Sequence, residues 1–294
     1  MKNLQKPSIA HGWLRAVLAF LFFLVLYILF SSGVAILFKQ FNSNSVPENT
    51  SLMGLLVGVI IVNACFLSTA YLFRRFIDRR SFFSLGFEWN VKYARNGVFV
   101  ALFVIGFGTF ILWGLGYLHF TVVHFDPAVL LFNIVVFALV AFGEEIFFRG
   151  YLLANLMQSV NKWLALGISA VFFMFVHLQN PGATLTMLPI LSVFFGGLLF
   201  GINYIYTRNL WFGIILHFLW NFLQGPVLSY NVSGTAPTGI FNHNIAGPGI
   251  LTGGIFGFEG SIICIALSVV SIIVLVFLHT RKIAVSGDPD ASKC

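Results

Sequence analysis

Residues 128–150 read AVLLFNIVVFALVAFGEEIFFRG, a stretch in which nearly every side chain is apolar until Glu144, Glu145 and Arg149. A run of roughly 20 mostly apolar residues can cross about 30 Å of hydrocarbon as a helix. Ionisable groups inside such a run are costly, and they normally face a cavity or a partner. The stretch therefore predicts a membrane span that carries a functional polar cluster.

The composition extends this prediction to the whole chain. Of 294 residues, 59% are hydrophobic and only 9% are charged, whereas a soluble domain carries about 25% charged residues. We predict an all-α, polytopic transmembrane bundle that forms a single membrane domain. The three cysteines, Cys65, Cys264 and Cys294, suit neither a disulfide framework nor a zinc ribbon.

Hydropathy and helix-breaking residues predict about eight spans. They cover residues 13–38, 52–73, 97–118, 128–152, 163–180, 185–206, 210–226 and 260–279. The first run is too long for the h-region of a signal peptide, so we interpret it as a span. The loop at 227–259 follows span seven, and it either folds over the mouth of the bundle or is an idle connector.

We attribute the net charge of +7 to the orientation of the chain in the membrane and not to binding of nucleic acid. With eight spans and a cytoplasmic N-terminus, every Lys and Arg except Lys39 falls on or toward the inner side. This bias predicts an integral membrane protein with both termini in the cytoplasm. The basic segment from Arg74 to Arg95 suits either an amphipathic stretch on the inner leaflet or a solvated loop.

The spacing within span four separates its three charged residues. Glu145 and Arg149 are four residues apart on one helical face, which favours a charge-assisted pair. Glu144 points about 100° away, and a carboxylate without its own cation suits a general base or acid. The alternative is that all three residues form a structural ion-pair knot.

Polar residues on two further spans belong to the same argument. His177 ends an aromatic run, and His217 and Asn221 lie four residues apart on one helical face. Each alone is more typical of helix packing. Helix rise, however, places Glu144 and both histidines at a shared depth of about 13–22 Å, near the middle of the bilayer. Together they contain the groups needed for hydrolysis by an activated water.

These residues resemble the CAAX protease and bacteriocin-processing (CPBP) family of intramembrane peptidases, which includes the type II CAAX prenyl endopeptidases. The resemblance covers about residues 140–225 and rests on three motifs in order on separate spans. The motifs are Glu-Glu-x-x-x-Arg at Glu144, Glu145 and Arg149, Phe-x-x-x-His at Phe173 and His177, and His-x-x-x-Asn at His217 and Asn221. The stretch from Thr252 to Gly260 also resembles a loop of bacterial members.

The resemblance implies a role for each matched residue. Glu144 with His177 would activate water, His217 and Asn221 would stabilise the oxyanion, and Glu145 with Arg149 would support the site. It divides the chain into N-terminal helices without a motif (1–125), a catalytic core (126–226), and a loop, last span and tail (227–294). Glu144, His177 and His217 could also bind zinc with an open position, but we assign no metal ligand from the sequence.

The leading hypothesis is an intramembrane endopeptidase acting on a membrane-associated peptide or protein, which could be lipid-modified. The substrate would reach the site from the membrane or from the inner face. One alternative is a non-catalytic immunity or partner-binding protein of the same family. The other is a proton-coupled transporter, which the lack of an evident repeat disfavours.

Overall fold

A computed structural model of the chain describes residues 6–41, 52–235 and 239–286. Most of these residues are helical. The α-helices are α1 (Gly12–Phe41), α2 (Leu52–Leu72), α3 (Val91–Ala101), α4 (Gly108–Gly114), α5 (Pro127–Glu145), α6 (Ala154–Leu156), α7 (Lys162–His177), α8 (Met187–Ile202), α9 (Tyr204–Thr207), α10 (Trp211–Phe222), α11 (Gly249–Thr252) and α12 (Ile262–Ser286). Several continue directly into π-helical turns, at Phe73–Ile77, Leu102–Phe107, Ile146–Leu153 and Leu223–Val227.

The predicted polytopic all-α membrane bundle is confirmed. Within the described residues, six helical segments are long and apolar enough to cross a membrane. They are Gly12–Gly33, Gly54–Ile77, Val91–Gly114, Pro127–Leu156, Met187–Thr207 and Ile262–Lys282. Lys162–His177 is a shorter apolar helix, and α10 with its π-helical turn is similarly short. These two shorter helices carry the candidate site histidines, His177 in α7 and His217 in α10.

The third span begins earlier than the sequence predicts. Helix α3 starts at Val91 because the Asn90 side chain accepts hydrogen bonds from the backbone N–H groups of Lys92 and Tyr93, which caps the helix. Between α2 and α3 the chain forms turns, including a short 3₁₀ turn at Phe82–Leu85. The basic segment is therefore divided among the π-helical end of the second span, a loop and the first turns of the third span.

The aromatic side chains of the central helices fill the core. Phe23, Phe66 and Phe147 are each at most 2% exposed, and the rings of Phe23 and Phe66 stack at 4.3 Å. Outward-facing apolar residues such as Leu131 and Phe277 are exposed, as lipid contact requires. Helices α7 and α8 approach closely, since a Cβ on Gly197 would lie 3.1 Å from Ala170.

A small two-stranded sheet covers one end of the bundle. Strand β1 (Leu118–Val123) pairs antiparallel with β2 (Phe241–Ile245), with Leu118 opposite Ile245. Neither strand is predicted from the sequence. Because β2 belongs to the 227–259 loop, the pairing fastens this loop to the connection between α4 and α5. Residues 236–238 of that loop lie outside the described part of the chain.

Candidate active site

A change of helix type places the charged residues of span four. Glu144 and Glu145 are the last residues of α5, and the chain continues into the π-helical turn Ile146–Leu153. Such turns are common at functional sites because they redirect side chains within a continuous helix. The turn brings Arg149 into the interior, where it is 1% exposed.

Glu145 forms a buried ionic network with two partners. The Nη1 of Arg149 lies 2.8 Å from Glu145 Oε1, and His217 Nδ1 lies 3.1 Å from the same oxygen. The second guanidinium nitrogen donates to the carbonyl of Gly197 at 2.9 Å. Removing either partner of such a buried pair leaves an uncompensated charge. Glu145 therefore links α5, α8 and α10 and orients the imidazole of His217.

Aromatic rings enclose the guanidinium of Arg149. Its Cζ lies 4.5 Å from the ring centroid of Phe173 and 5.6 Å from that of Phe200, which is a cation–π geometry. The same Phe200 ring stacks on His217 at 4.7 Å. The pocket around the ion pair is therefore apolar and rigid.

Glu144 faces the two histidines and not the arginine. Its Oε2 lies 3.9 Å from His177 Nε2 and 4.0 Å from His217 Nε2. This oxygen is buried and has no hydrogen-bond partner among the described residues. The three atoms are too far apart for direct hydrogen bonds and close enough for one small molecule to contact all of them.

A hydrogen bond from Nδ1 fixes the ring orientation of each histidine. His177 Nδ1 donates to the carbonyl oxygen of Phe173 at 2.7 Å, and His217 Nδ1 donates to the Glu145 carboxylate. These tautomers are assigned from the partners, since a carbonyl and a carboxylate oxygen only accept. In the neutral form, each histidine then directs a bare Nε2 toward Glu144.

A cavity of about 30 Å³ adjoins this cluster, which is room for ordered water. It is lined by Phe173, His177, Ser192, Val193, Gly196, Phe200, His217, Trp220, Asn221, Ser233 and Glu259. Asn221 therefore shares the cavity with His217, one turn further along α10. The structure brings Glu144, His177, His217 and Asn221 together, with Glu145 and Arg149 directly behind them.

Glu259 is a cavity residue to which the sequence analysis assigned no role. It is 7% exposed, and its Oε2 accepts from Trp220 Nε1 at 2.8 Å and Gln224 Nε2 at 3.4 Å. Its Oε1 accepts from the backbone N–H and the hydroxyl of Ser233, and Ser192 donates to its backbone carbonyl. In the sequence, Glu259 stands out only because the rest of the loop at residues 227–259 contains no Asp, Glu, Lys or Arg.

Two glycines and an asparagine support the site from behind. A Cβ on Gly213 would lie 2.5 Å from Glu145 Oε2. A Cβ on Gly143 would overlap the side-chain oxygen of Asn63 in α2, which is 5% exposed. None of these three residues is predicted from the sequence, because the pattern along one span does not show which residues pack against another span.

The zinc alternative is a question of geometry. Glu144, His177 and His217 offer suitable donor atoms, but their separations of 3.9 and 4.0 Å exceed the roughly 3.4 Å between ligands of a tetrahedral zinc site. Among the described residues, no group of three or more His, Cys, Asp or Glu side chains has the spacing of a metal site. As placed, these three side chains do not have the spacing of a tetrahedral zinc site.

The fold and the site define a class: a polytopic α-helical membrane protein with a buried glutamate–histidine cluster within its spans. Residues 125–223, about a third of the chain, match the family model described as type II CAAX prenyl endopeptidase Rce1-like. The resemblance inferred from the motifs is thus confirmed over this segment. The match supports a CAAX-type intramembrane protease kind of function. No curated protein matches the chain significantly.

Proposed function

We propose that the protein is an intramembrane endopeptidase that hydrolyses a peptide bond of a membrane-associated protein or peptide. The observation that carries this proposal is the convergence of Glu144 Oε2 with two histidine Nε2 atoms at 3.9 and 4.0 Å. A water between these groups would contact a carboxylate and two imidazoles. That arrangement is suited to general-base activation.

Glu144 and His177 would activate the nucleophile. The carboxylate accepts a proton from water as the water oxygen attacks the scissile carbonyl carbon, and His177 positions that water through Nε2. The proton then passes to the nitrogen of the leaving amine as the C–N bond breaks. The hydrogen bond from His177 Nδ1 to the Phe173 carbonyl keeps the ring aimed at Glu144 during both steps.

His217 and Asn221 would stabilise the oxyanion of the tetrahedral intermediate. Because His217 Nδ1 already donates to Glu145, donation from Nε2 requires the doubly protonated ring. The hydrogen bond to the Glu145 carboxylate at 3.1 Å fixes the orientation of the ring. Glu145 and Arg149 therefore act on the reaction through His217. Fixed donors in an apolar pocket are an effective way to stabilise a developing charge.

The bilayer is the protein's permanent partner, and we propose an orientation within it. Apart from Lys39 near the end of α1 and the buried Arg149, the basic residues of the described chain lie toward one end of the bundle, as the positive-inside rule requires of a cytoplasmic face. Both termini would then lie on the cytoplasmic side.

The test is hydrolysis by the purified chain in proteoliposomes, with leader-peptide and prenylated reporter substrates. Glu144→Gln keeps the size of the side chain and removes the base, so we expect a loss of kcat of about 10²-fold or more. Glu88→Gln is the matched control, because Glu88 is exposed and lies outside the site.

Equal activity of Glu144→Gln and wild type would refute the role of Glu144. Binding of a partner without cleavage would indicate the non-catalytic alternative, and Glu144-dependent proton uptake would indicate the transporter. Loss of wild-type activity on chelation, restored by added zinc, would show that the three side chains close around a metal.

A further inference from the structure

The two ends of the bundle differ in charge. At one end, hydrogen bonds join four neighbouring parts of the chain: the start of α1, the α2–α3 connection, the α6–α7 connection and the segment before α10. Ser8 N donates to Ile77 O, Trp13 N donates to Ser159 Oγ, and Leu210 N donates to Gly86 O. These segments and their flanking helix ends carry the basic residues Arg15, Arg74, Arg75, Arg79, Arg80, Lys92, Arg95, Lys162, Arg208, Arg281 and Lys282. We call this the basic end.

The opposite end contains no Lys or Arg in its connecting segments, residues 116–126, 178–186 and 228–261. These segments also contact one another. Ala246 N donates to Tyr117 O, and Gly234 approaches the carbonyl of Pro181 so closely that a Cβ would overlap it. We call this the loop end.

The cavity beside the histidines is bounded by the loop end. Ser233 and Glu259 belong to the loop between α10 and α12, and Ser192 lies in the second turn of α8, which starts at that end. Toward the basic end, by contrast, every residue of the π-helical turn Ile146–Leu153 is buried. On the side of the basic end, the site is closed by the packed residues Ile146–Leu153, which we call the plug. On the side of the loop end lies the cavity.

The two walls of the site differ in composition. The plug consists of packed aromatic and aliphatic side chains. The loop wall combines the buried rings of Tyr230, Phe256 and Phe258 with polar groups around Glu259 that line the cavity.

We infer that the substrate reaches the catalytic histidines from the loop end, and that this end faces away from the cytoplasm. The inference rests on the proposed function, and the orientation follows from the positive-inside rule. The substrate class would be a peptide segment exposed at the non-cytoplasmic membrane surface, such as a leader or juxtamembrane segment of an exported protein. This differs from the inner-face access considered from the sequence.

The test uses cysteines that report sidedness and access. Ser233→Cys and, separately, Val193→Cys place a thiol in the cavity wall of the full chain carrying Cys294→Ser, and the remaining native cysteines, Cys65 and Cys264, are buried. Ser81→Cys at the basic end is the matched control, because Ser81 is exposed. Right-side-out vesicles are treated with a membrane-impermeant cationic methanethiosulfonate, and cleavage of a reporter peptide added outside is measured before and after.

We expect the cavity cysteines to react from outside, with at least a tenfold loss of cleavage after modification, while Ser81→Cys reacts only in permeabilised vesicles. Reaction of both cavity cysteines only after permeabilisation would overturn the inference. So would modification from outside that leaves cleavage intact. A Glu144→Gln arm separates the two proposals: if the unmodified chain cleaves no better than Glu144→Gln on either face, the proposed function fails, and the labelling still reports which end faces outward.

Discussion

Gly213 is the residue that lets α10 carry His217 against Glu145. A methyl group at this position would lie 2.5 Å from Glu145 Oε2 and 3.1 Å from the carbonyl of Phe200. Glu145 is fully buried and held by Arg149, so it cannot move aside cheaply. The glycine therefore sets the distance between α10 and the Glu145–Arg149 ion pair.

We predict that Gly213→Ala lowers kcat by more than about tenfold, because a displacement of a few tenths of an ångström changes the aim of His217. Gly167→Ala is the control, since the structure has nothing within 4 Å of a Cβ at Gly167 and alanine is the better helix former. Both variants would be compared by steady-state cleavage and by thermal unfolding in detergent. Equal kcat in the two variants would show that Glu145 does not act through His217.

Glu259 is the second residue whose role the structure suggests. All of its hydrogen-bond partners are donors, from Trp220, Gln224 and Ser233. A glutamine at this position would turn an NH₂ group toward at least one of them and leave a buried donor unpaired.

We predict that Glu259→Gln raises KM by about fivefold to tenfold, the equivalent of roughly 1–1.4 kcal/mol, with a smaller change in kcat. The reason is that the loop wall of the cavity loosens while Glu144 and the histidines stay in place. Ser233→Ala removes a single hydroxyl donor, so its effect on KM should be smaller. A fall in kcat with KM unchanged would instead place Glu259 in the chemical step.

At the scale of elements, the sequence predicted some contacts and could not predict others. The four-residue spacing of Glu145 and Arg149 is a local property of one helix, and the structure shows the pair at 2.8 Å. The sheet of β1 and β2 joins segments that are separated by four spans along the chain, so no local pattern determines its pairing. Glu259 reaches the site in the same non-local way.

The sheet also contains a group that responds to pH. Burial lowers the pKa of His243 in β2 below its ordinary value, although its Nδ1 donates to the carbonyl of Leu228. The charged ring is thus disfavoured in the folded loop. A histidine with a depressed pKa contributes stability above its unfolded pKa, and that stability is lost as the pH falls toward the folded pKa.

We therefore predict that the loop over the cavity loosens as the pH falls below about 6.5, the unfolded pKa of histidine. Hydrogen exchange of residues 228–235 and 239–245, corrected for the intrinsic pH dependence, should show protection decreasing with acidification. In His243→Gln the change should be absent, because glutamine does not titrate. The same acid-dependent loss of protection in His243→Gln would assign the effect to another group.

At the scale of the whole molecule, composition determined the class of fold because the solvent of most of the surface is lipid. Hydropathy cannot show which spans are neighbours, since all apolar faces satisfy the bilayer equally well. Buried polar residues supply that information. The Glu145 network joins α5, α8 and α10, and a second network at the basic end joins the N-terminal helices to the core.

Asp78 is the centre of that second network. It is fully buried and lies 2.8 Å from both Arg15 and Arg74, and it also accepts from Tyr151 and Asn155.

Asp78→Asn leaves two buried guanidinium groups without an anion, which we predict costs about 3–5 kcal/mol and lowers the unfolding temperature in detergent by on the order of 10 °C. Exposed Glu88→Gln should leave the temperature unchanged. Within the described structure, Asp78 forms no hydrogen bond or ion pair with Glu144, His177 or His217, and its partners Tyr151 and Asn155 lie further along the chain than Glu144. Cleavage per folded molecule should therefore persist in Asp78→Asn. Its loss at temperatures where the variant is still folded would show that the basic end positions the site as well as stabilising the bundle.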